Sequence, residues 1–546
     1  MALSQDLWKI LTAIRNRIDV SEFKNYVMPF MFYWAANQKI ELLMRSELEN
    51  DGLSYEEAWN LKDEETGEYI YRDELRDVQL ENFGFVIRPE NSCMSIVPAV
   101  RGNNESFIER FTEAIETFDE ECTATFRGSL KMANFDRDIL GDDPDFIEDL
   151  MFNKLFMPTG QAVLAAMRDN EHDAPGRLYM EIMSHFASSA GKGGGEFFTP
   201  LFMSKLVAKL ATYNVKNAKS IYDPTCGSGS LLIQAAEEIK SHVDQMNRRG
   251  LVGHYYGQEI NTITAKQAKI NMCMHDIKTD RFDIINSDTL SYSDAMGDML
   301  FDVIVANPPY SFGWDNTGRE DDLRFAGYGA VAPAKTADLA FVQHIVYHME
   351  EGGRAAVLLP HGPLFRGNAE KTIRKVLIDK HNVIDAIIGL PSNCFFGASI
   401  AVACIVLRKD RNGDSDDICI IDASKYFKTA NGKNSITDED IGRIMDAYAN
   451  RKDIDHFCSI VPLDKIREND YSLNIPLYVE PERDETEHNL GELFQDYAKL
   501  EKQAEDLKVS INDQLLSFGI QEKFIGVADT NNAVDSSINQ IEKESA

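Results

Sequence analysis

Asn307, Pro308, Pro309 and Tyr310 follow directly on the apolar run "VIVA", and their types and order suit the handling of an amine. Four small apolar residues read as the end of a buried strand, and a stiff, donor-poor corner comes next. The Asn307 amide oxygen and the Pro308 carbonyl offer two acceptors, and a planar exocyclic amine offers two N–H donors. Accepting both holds the amine and favours its shift from planar toward tetrahedral nitrogen, which bares the lone pair. Tyr310 gives a face on which a base can stack. The prolines fix the backbone and leave no donor there to compete with the amine. A rigid strand-to-loop corner without chemistry is the plainer reading, and the company the corner keeps decides between the two.

Three other polar tips keep it company. The run "KSIYD" leads into Asp223-Pro224-Thr225-Cys226-Gly227-Ser228-Gly229-Ser230 and then into "LLIQAAEEIK", which reads as strand, glycine turn and helix. Gly227 and Gly229 let the backbone approach a ligand closely. The amides of Ser228, Gly229 and Ser230 open the helix and can receive a carboxylate or phosphate. The next run, "GHYYGQE", ends at Glu259, well placed to accept two ribose hydroxyls. A third, "RFDIIN", leads to Asp288, where an adenine amino group can be read. Each feature alone is common in ordinary turns and strand ends. Together they form a row along the carboxyl edge of a sheet, where doubly wound folds bind ligands. Cys226 sits in the first loop, and a small buried residue is the better reading of it than a nucleophile.

The elements that must position these tips are legible from Gly193 onward. Seven short apolar runs appear, separated by helix-length segments: the four already met, then "GRAAVLLP", "VIDAIIGL" and "AVACIVL". Strands alternating with helices imply parallel βαβ units and a doubly wound α/β sheet over residues 166–410. Residues 1–165 carry helical periodicity, as in "LWKILTAIRNRI" and "FIERFTEAIETF", and are expected to form an all-helical domain. Residues 411–484 are mixed and polar, without a clear domain signature. In residues 485–546, Leu490, Leu493, Tyr497, Leu500, Ala504, Leu507 and Ile511 alternate spacings of three and four, a heptad seam that wants a partner helix. Gly519 ends that helix, and a polar tail follows.

Composition narrows the function. Of 546 residues, 44% are hydrophobic and 10% aromatic, which suits several globular cores. The formal net charge is −33, from 89 acidic against 56 basic residues, so a chain that grips DNA unaided is excluded. If it acts on nucleic acid, another component does most of the holding. The eight cysteines form no Cys-x-x-Cys pair and no zinc spacing with histidine, so a cytoplasmic chain with reduced thiols and no metal centre is expected. The N-terminus shows no basic leader before an apolar run, and no stretch approaches the ~18 apolar residues of a membrane span, so no membrane role is expected.

At these residues the chain resembles the amino-group DNA methyltransferases that make N6-methyladenine, and more closely the modification subunit of type I restriction–modification systems. The match rests on Gly194-Gly195-Glu196-Phe197-Phe198-Thr199-Pro200, on Asp223 to Gly229, on Gln258-Glu259 and on Asn307 to Tyr310. It continues through "ADLAFVQHI", "AAVLLPHGPLFRGNAE", "IIGLPSNCFFGASIAVACIVL" and, more loosely, "YSLNIPLYV". The resemblance implies a seven-stranded S-adenosylmethionine-dependent methyltransferase core with a helical N-terminal domain and a C-terminal coiled-coil-like helix. It implies that Glu196, Phe197, Phe198, Thr199 and Pro200 close over the methionine end of S-adenosylmethionine, with Glu196, where relatives often carry Gln, a weak side-chain contact. Asp223 and the Gly227-Ser228-Gly229-Ser230 loop take its carboxylate side, Glu259 its ribose and Asp288 its adenine. Phe395, with Phe396 beside it, matches the aromatic that packs on an adenine flipped out of double-stranded DNA. The implied partners are a separate specificity subunit, with two modification chains on each, and a motor-nuclease restriction subunit.

Some chemistry is missing from the chain. It carries no phosphate loop of the Gly-x-x-x-x-Gly-Lys-Ser/Thr type, no convincing paired-acid nuclease motif and no basic module after the seventh run. ATP-driven translocation is therefore not expected here, and base reading is expected elsewhere. The alternatives are a methyltransferase acting on a protein glutamine or an RNA base, since the corner suits any planar amide nitrogen, and a silent scaffold subunit. A nicotinamide oxidoreductase fits worse, lacking the Gly-x-Gly-x-x-Gly run.

Overall fold

In the computed structural model, residue 8 and residues 20–103, 105–133, 135, 143–168, 173–189, 199–243, 251–395, 399–411, 416–430, 432–481 and 490–518 are described. They fall into two units, Met1–Pro481 and Glu482–Ala546.

In the first unit the seven apolar runs are all strands: β1 (Ala218–Asp223), β2 (Val252–Glu259), β3 (Phe282–Asn286), β4 (Phe301–Ala306), β5 (Met349–Pro360), β6 (Ile384–Gly389) and β7 (Val402–Arg408). Four more follow: β8 (Asp417–Asp422), β9 (Lys428–Ala430), β10 (Lys433–Ser435) and β11 (Cys458–Pro462). Nine strands form one sheet in the order β11-β8-β6-β7-β5-β4-β1-β2-β3, and β9 and β10 make a separate antiparallel pair. Two corrections to the sequence reading follow. The polar stretch 411–484 is part of the sheet, because β8 pairs parallel with β6 and β11 runs antiparallel beside β8. The sheet is also mixed, since β7 lies antiparallel to both β5 and β6. A parallel return needs a crossover, usually helical. The link from Gly389 to Val402 carries no helix among the described residues, so the chain turns straight back.

The strands are short continuous apolar runs because both faces of the sheet are covered. Along β4, Val303 and Val305 join one buried cluster while Ile304 and Ala306 join another. Each such Val or Ile, fully buried, contributes roughly 1.5–3 kcal/mol. The first cluster runs without a break into the helical region. There, helix α1 (Val20–Glu47) meets α2 (Phe107–Glu120), α3 (Met157–Arg168) and α4 (Ala174–Ser189). Phe30 stands edge-on to Phe111 and Phe156, each at 5.2 Å between centroids, and Trp34 donates to the Phe156 carbonyl at 3.1 Å. On the sheet lie α5 (Leu201–Ala211), α6 (Ser230–Ser241), α7 (Thr262–Met274), α8 (Asp338–His348) and α9 (Asp438–Asn450).

Strand order reverses between β1 and β4, which pair parallel with Tyr222 opposite Ile304. Their carboxyl ends therefore open side by side at the switch point, the crevice where open α/β sheets take ligands.

The second unit contains helix α10 (Leu490–Ser517). Of its heptad seam, Tyr497, Leu500, Leu507 and Ile511 are exposed. No helix among the described residues is long and apolar enough to cross a membrane.

Candidate active site

The loop after β1 folds tightly because its amides are taken up nearby. Cys226 N–H donates to the Gln258 carbonyl at 2.8 Å, and Gly229 N–H to the Cys226 carbonyl at 2.7 Å. Gly227 (φ +52°) and Gly229 (φ +78°) adopt the left-handed conformation that favours glycine, and a Cβ on Gly227 would project into open space. Ser228 and Ser230 are buried at the head of α6. Burial also holds the Cys226 thiol well above its usual range, which leaves it protonated and unreactive.

Asp223 is fully buried at the end of β1. Its Oδ1 accepts from Thr225 N–H at 2.9 Å, but its Oδ2 has no partner, and neither does the buried Thr225 hydroxyl. Burial pushes the Asp223 carboxyl up to about 8, with the neighbouring Glu259 charge adding to the effect and the Thr225 amide opposing it. On the next strand Glu259 accepts from Gly227 N–H at 3.1 Å and from Asn261 N–H at 2.7 Å, tying the two loops together. Asp288 lies exposed beyond β3, its Oδ1 accepting from Leu290 N–H at 2.9 Å. An orphaned carboxylate oxygen, an orphaned hydroxyl and a half-buried glutamate around an open glycine fit a ligand with a cationic centre and a ribose.

The corner after β4 is held differently. Asn307 Nδ2 donates to the Thr199 hydroxyl at 2.9 Å, and the Tyr310 hydroxyl donates to Asn307 Oδ1 at 2.7 Å. Ser311 has φ +51°, a conformation rare outside glycine, and its N–H donates to Asp338 Oδ1 at 3.0 Å. Asp338 is wholly buried at the head of α8, and burial raises its carboxyl above the usual range. Phe395 meets Tyr310 edge-on, 5.7 Å between centroids at 87°, and is itself completely buried.

Thus Thr199, Asp223, Gly227 to Ser230, Glu259, Asp288, Asn307 to Tyr310 and Phe395 all lie at or next to the carboxyl edge. Pro200 is the residue that opens α5. Glu196, Phe197, Phe198 and Phe396 lie outside the described residues. Two features escaped the sequence reading. Thr199, expected on the cofactor, orients the Asn307 amide. Asp338 sets the turn after Tyr310, and "ADLAFVQHI", quoted only as a likeness, was the available signal.

The comparisons with known proteins agree with one another. The profile of the N-6 DNA methylase family matches residues 170–487. The methylase subunit of the type I restriction enzyme MpnII of Mycoplasma pneumoniae is 33% identical over 532 residues, covering 94% of this chain and 95% of that one. The MjaIX methylase subunit of Methanocaldococcus jannaschii is 26% identical, with 94% and 91% covered. The crystal structure of a type I restriction–modification methyltransferase subunit from Streptococcus thermophilus superposes with a TM-score of 0.77 at 31% identity, covering 88% of this chain and 99% of that one.

Proposed function

The chain belongs to the N-6 DNA methylase family, with the type I restriction enzyme methylase subunits, and from that membership we propose how its residues divide the work. It is a site-specific DNA adenine N6-methyltransferase that draws on S-adenosylmethionine, and it serves as the modification subunit beside a separate specificity subunit that reads the sequence. The reading as a protein-glutamine or RNA methyltransferase, or as a scaffold, gives way to this membership. DNA and other restriction–modification subunits are its partners.

What each residue does is our reading. When bound, S-adenosylmethionine supplies a methyl group on a sulfonium, an electrophile reactive enough that alignment and desolvation provide much of the acceleration. Asp223 and the Gly227-Ser228-Gly229-Ser230 loop hold its amino-acid side, with Thr199 and Pro200 closing from outside the sheet together with Glu196, Phe197 and Phe198. Glu259 takes the ribose hydroxyls and Asp288 the adenine. The target adenine leaves the duplex, because its N6 is out of reach while stacked. Asn307 Oδ1 and the Pro308 carbonyl then accept the two N6–H bonds, Pro309 keeps the corner rigid, and Tyr310 offers its face, with Phe395 or its neighbour Phe396 packing alongside. The amine sheds its proton to water after methylation, so a strong general base is not required. The observation that supports this most is the adjacency of the Asn307 corner to the Asp223, Glu259 and Asp288 tips on one edge.

The finer assembly is also our reading. Two modification chains bind one specificity chain through the 485–546 segment, whose exposed seam on α10 asks for a partner helix. The mixed segment 411–484 belongs with the catalytic region, a restriction subunit completes the complex, and work on chromosomal DNA places it in the cytoplasm. Deleting residues after Asp484 should abolish co-purification with the specificity subunit, and a truncated chain that still co-purifies would refute the docking role.

The test of function uses the chain with its specificity subunit, tritiated S-adenosylmethionine and unmethylated genomic DNA. Label should appear as N6-methyladenine only in the complex and vanish with Asn307→Ala. Label on DNA from the chain alone would overturn the division of labour.

A further inference from the structure

Behind the cofactor edge, Asp294, His344 and His348 bring ligand-type atoms within 4.8 Å of one another, an arrangement suited to a metal ion. The hydrogen bonds argue for a different occupant. Arg324, 2% exposed, places Nη1 at 3.3 Å from His344 Nδ1 and 3.4 Å from Asp294 Oδ2. A guanidinium has no lone pair, so His344 Nδ1 must accept from it. His344 Nε2–H then donates to the Tyr222 hydroxyl at 2.8 Å. That hydroxyl donates to Gln258 Oε1, and Gln258 Nε2 donates to the Ser287 hydroxyl at 3.1 Å. The chain of donors runs one way, from the guanidinium to Ser287. It needs a neutral His344, and burial with the nearby His348 holds that ring well below its usual value. The positive charge of the cluster is thus built into the protein.

The same guanidinium grips the segment that follows. Arg324 donates to the Thr289 carbonyl at 2.8 Å and the Ser291 carbonyl at 2.6 Å, while Arg319 takes the Leu290 carbonyl between them at 2.6 Å. Thr289 adds a hydroxyl bond to the Pro224 carbonyl in the loop after β1. Ser287, Thr289, Leu290 and Ser291 are therefore all fixed, and Asp288 stands within them. Both arginines belong to the stretch that leaves the Asn307 corner through Ser311.

We propose that Arg324, supported by Arg319, is a positioning residue for the cofactor's adenine pocket, an internal cation that sets the Asp288 turn and couples it to the stretch leaving the amine corner. This rests on the reading of Asp288 as the adenine contact. Loosening the turn should weaken nucleoside binding and leave the amino-acid end, the DNA and the chemical step alone.

The test is calorimetry on the full chain with S-adenosylmethionine and with 5′-methylthioadenosine, which keeps the nucleoside and lacks the amino-acid end. Arg324→Met should weaken both by roughly tenfold, the size of a typical coupling between linked sites. DNA affinity of the assembled complex and kcat at saturating cofactor should be unchanged. Arg319→Met, which releases Leu290, should give a smaller loss in the same direction, and it carries the test if Arg324→Met fails to fold. Loss for S-adenosylmethionine without loss for 5′-methylthioadenosine, a fall in kcat with unchanged binding, or wild-type binding by both variants would overturn the proposal. So would stoichiometric zinc retained through dialysis against a chelator, which would put a metal where the guanidinium sits. A wild-type chain that binds neither compound would instead overturn the cofactor reading itself, and this inference with it.

Discussion

Asp223 and Asn307 stand at the ends of neighbouring strands, β1 and β4, yet their side chains are in opposite conditions. Asp223 is sealed from water with one oxygen unpartnered and its carboxyl pushed up to about 8. Asn307 has both ends of its amide engaged, by Thr199 on one side and Tyr310 on the other. On the proposed assignment, the cofactor half stores an unmet demand for positive charge, which a cationic ligand would relieve on arrival. The proposed amine half is already satisfied, and a substrate amine would have to compete with the Tyr310 hydroxyl for the Asn307 acceptor. One half draws its ligand in and the other admits its substrate by exchange, which suits an enzyme that takes up a small cofactor and then tests a much larger polymer.

Four substitutions break or sharpen this contrast. Asn307→Ala should remove the amine acceptor and cost at least about 100-fold in kcat, as loss of a key polar group in an active site does. S-adenosylmethionine affinity, measured by calorimetry, should stay the same. Asp223→Asn addresses the other half. In the wild type a cationic ligand needs the ionised carboxylate, so as pH falls through about 8 binding must expel a proton. Affinity relative to the variant should then drop by up to about tenfold per pH unit. Parallel pH profiles for the two proteins would show that Asp223 does not face the positive charge. Thr199→Val leaves the Asn307 N–H₂ without its acceptor, a penalty of about 1–3 kcal/mol. It should appear as roughly a tenfold loss in kcat, while cofactor affinity, to which Thr199 is only one of five proposed contributors, should fall by less. Tyr310→Phe should have the smallest effect, a modest fall in KM for DNA, because it removes the hydroxyl that occupies Asn307 Oδ1. A large rise in KM would mean that the hydroxyl serves the substrate rather than competes with it.

The sequence made the four tips and the first seven strands readable, because a buried strand is a continuous apolar run and the polar residues ending it stand out. Strand direction was not readable in the same way. "AVACIVL" looks like any other buried strand, yet β7 runs antiparallel to both of its neighbours, after a link that carries no helix among the described residues. Strands β8 and β11 were missed because "ICII" and "CSIVP" are brief and sit among charged residues. The ring around Arg324 was out of reach altogether. Its members come from β1, β2, the segment after β3, the stretch after Tyr310 and α8, and nothing in their spacing along the chain announces that they meet.

The unbroken apolar cluster that joins the N-terminal helices to one face of the sheet has a thermodynamic consequence. Phe30, Phe107 and Phe156 pack among themselves, but α1 and α4 also pack on α7, which lies on the sheet. Neither layer stays dry without the other. The helices and the methyltransferase sheet should therefore share one melting transition, and a cofactor bound at the proposed site on the sheet's edge should raise the melting temperature of both together.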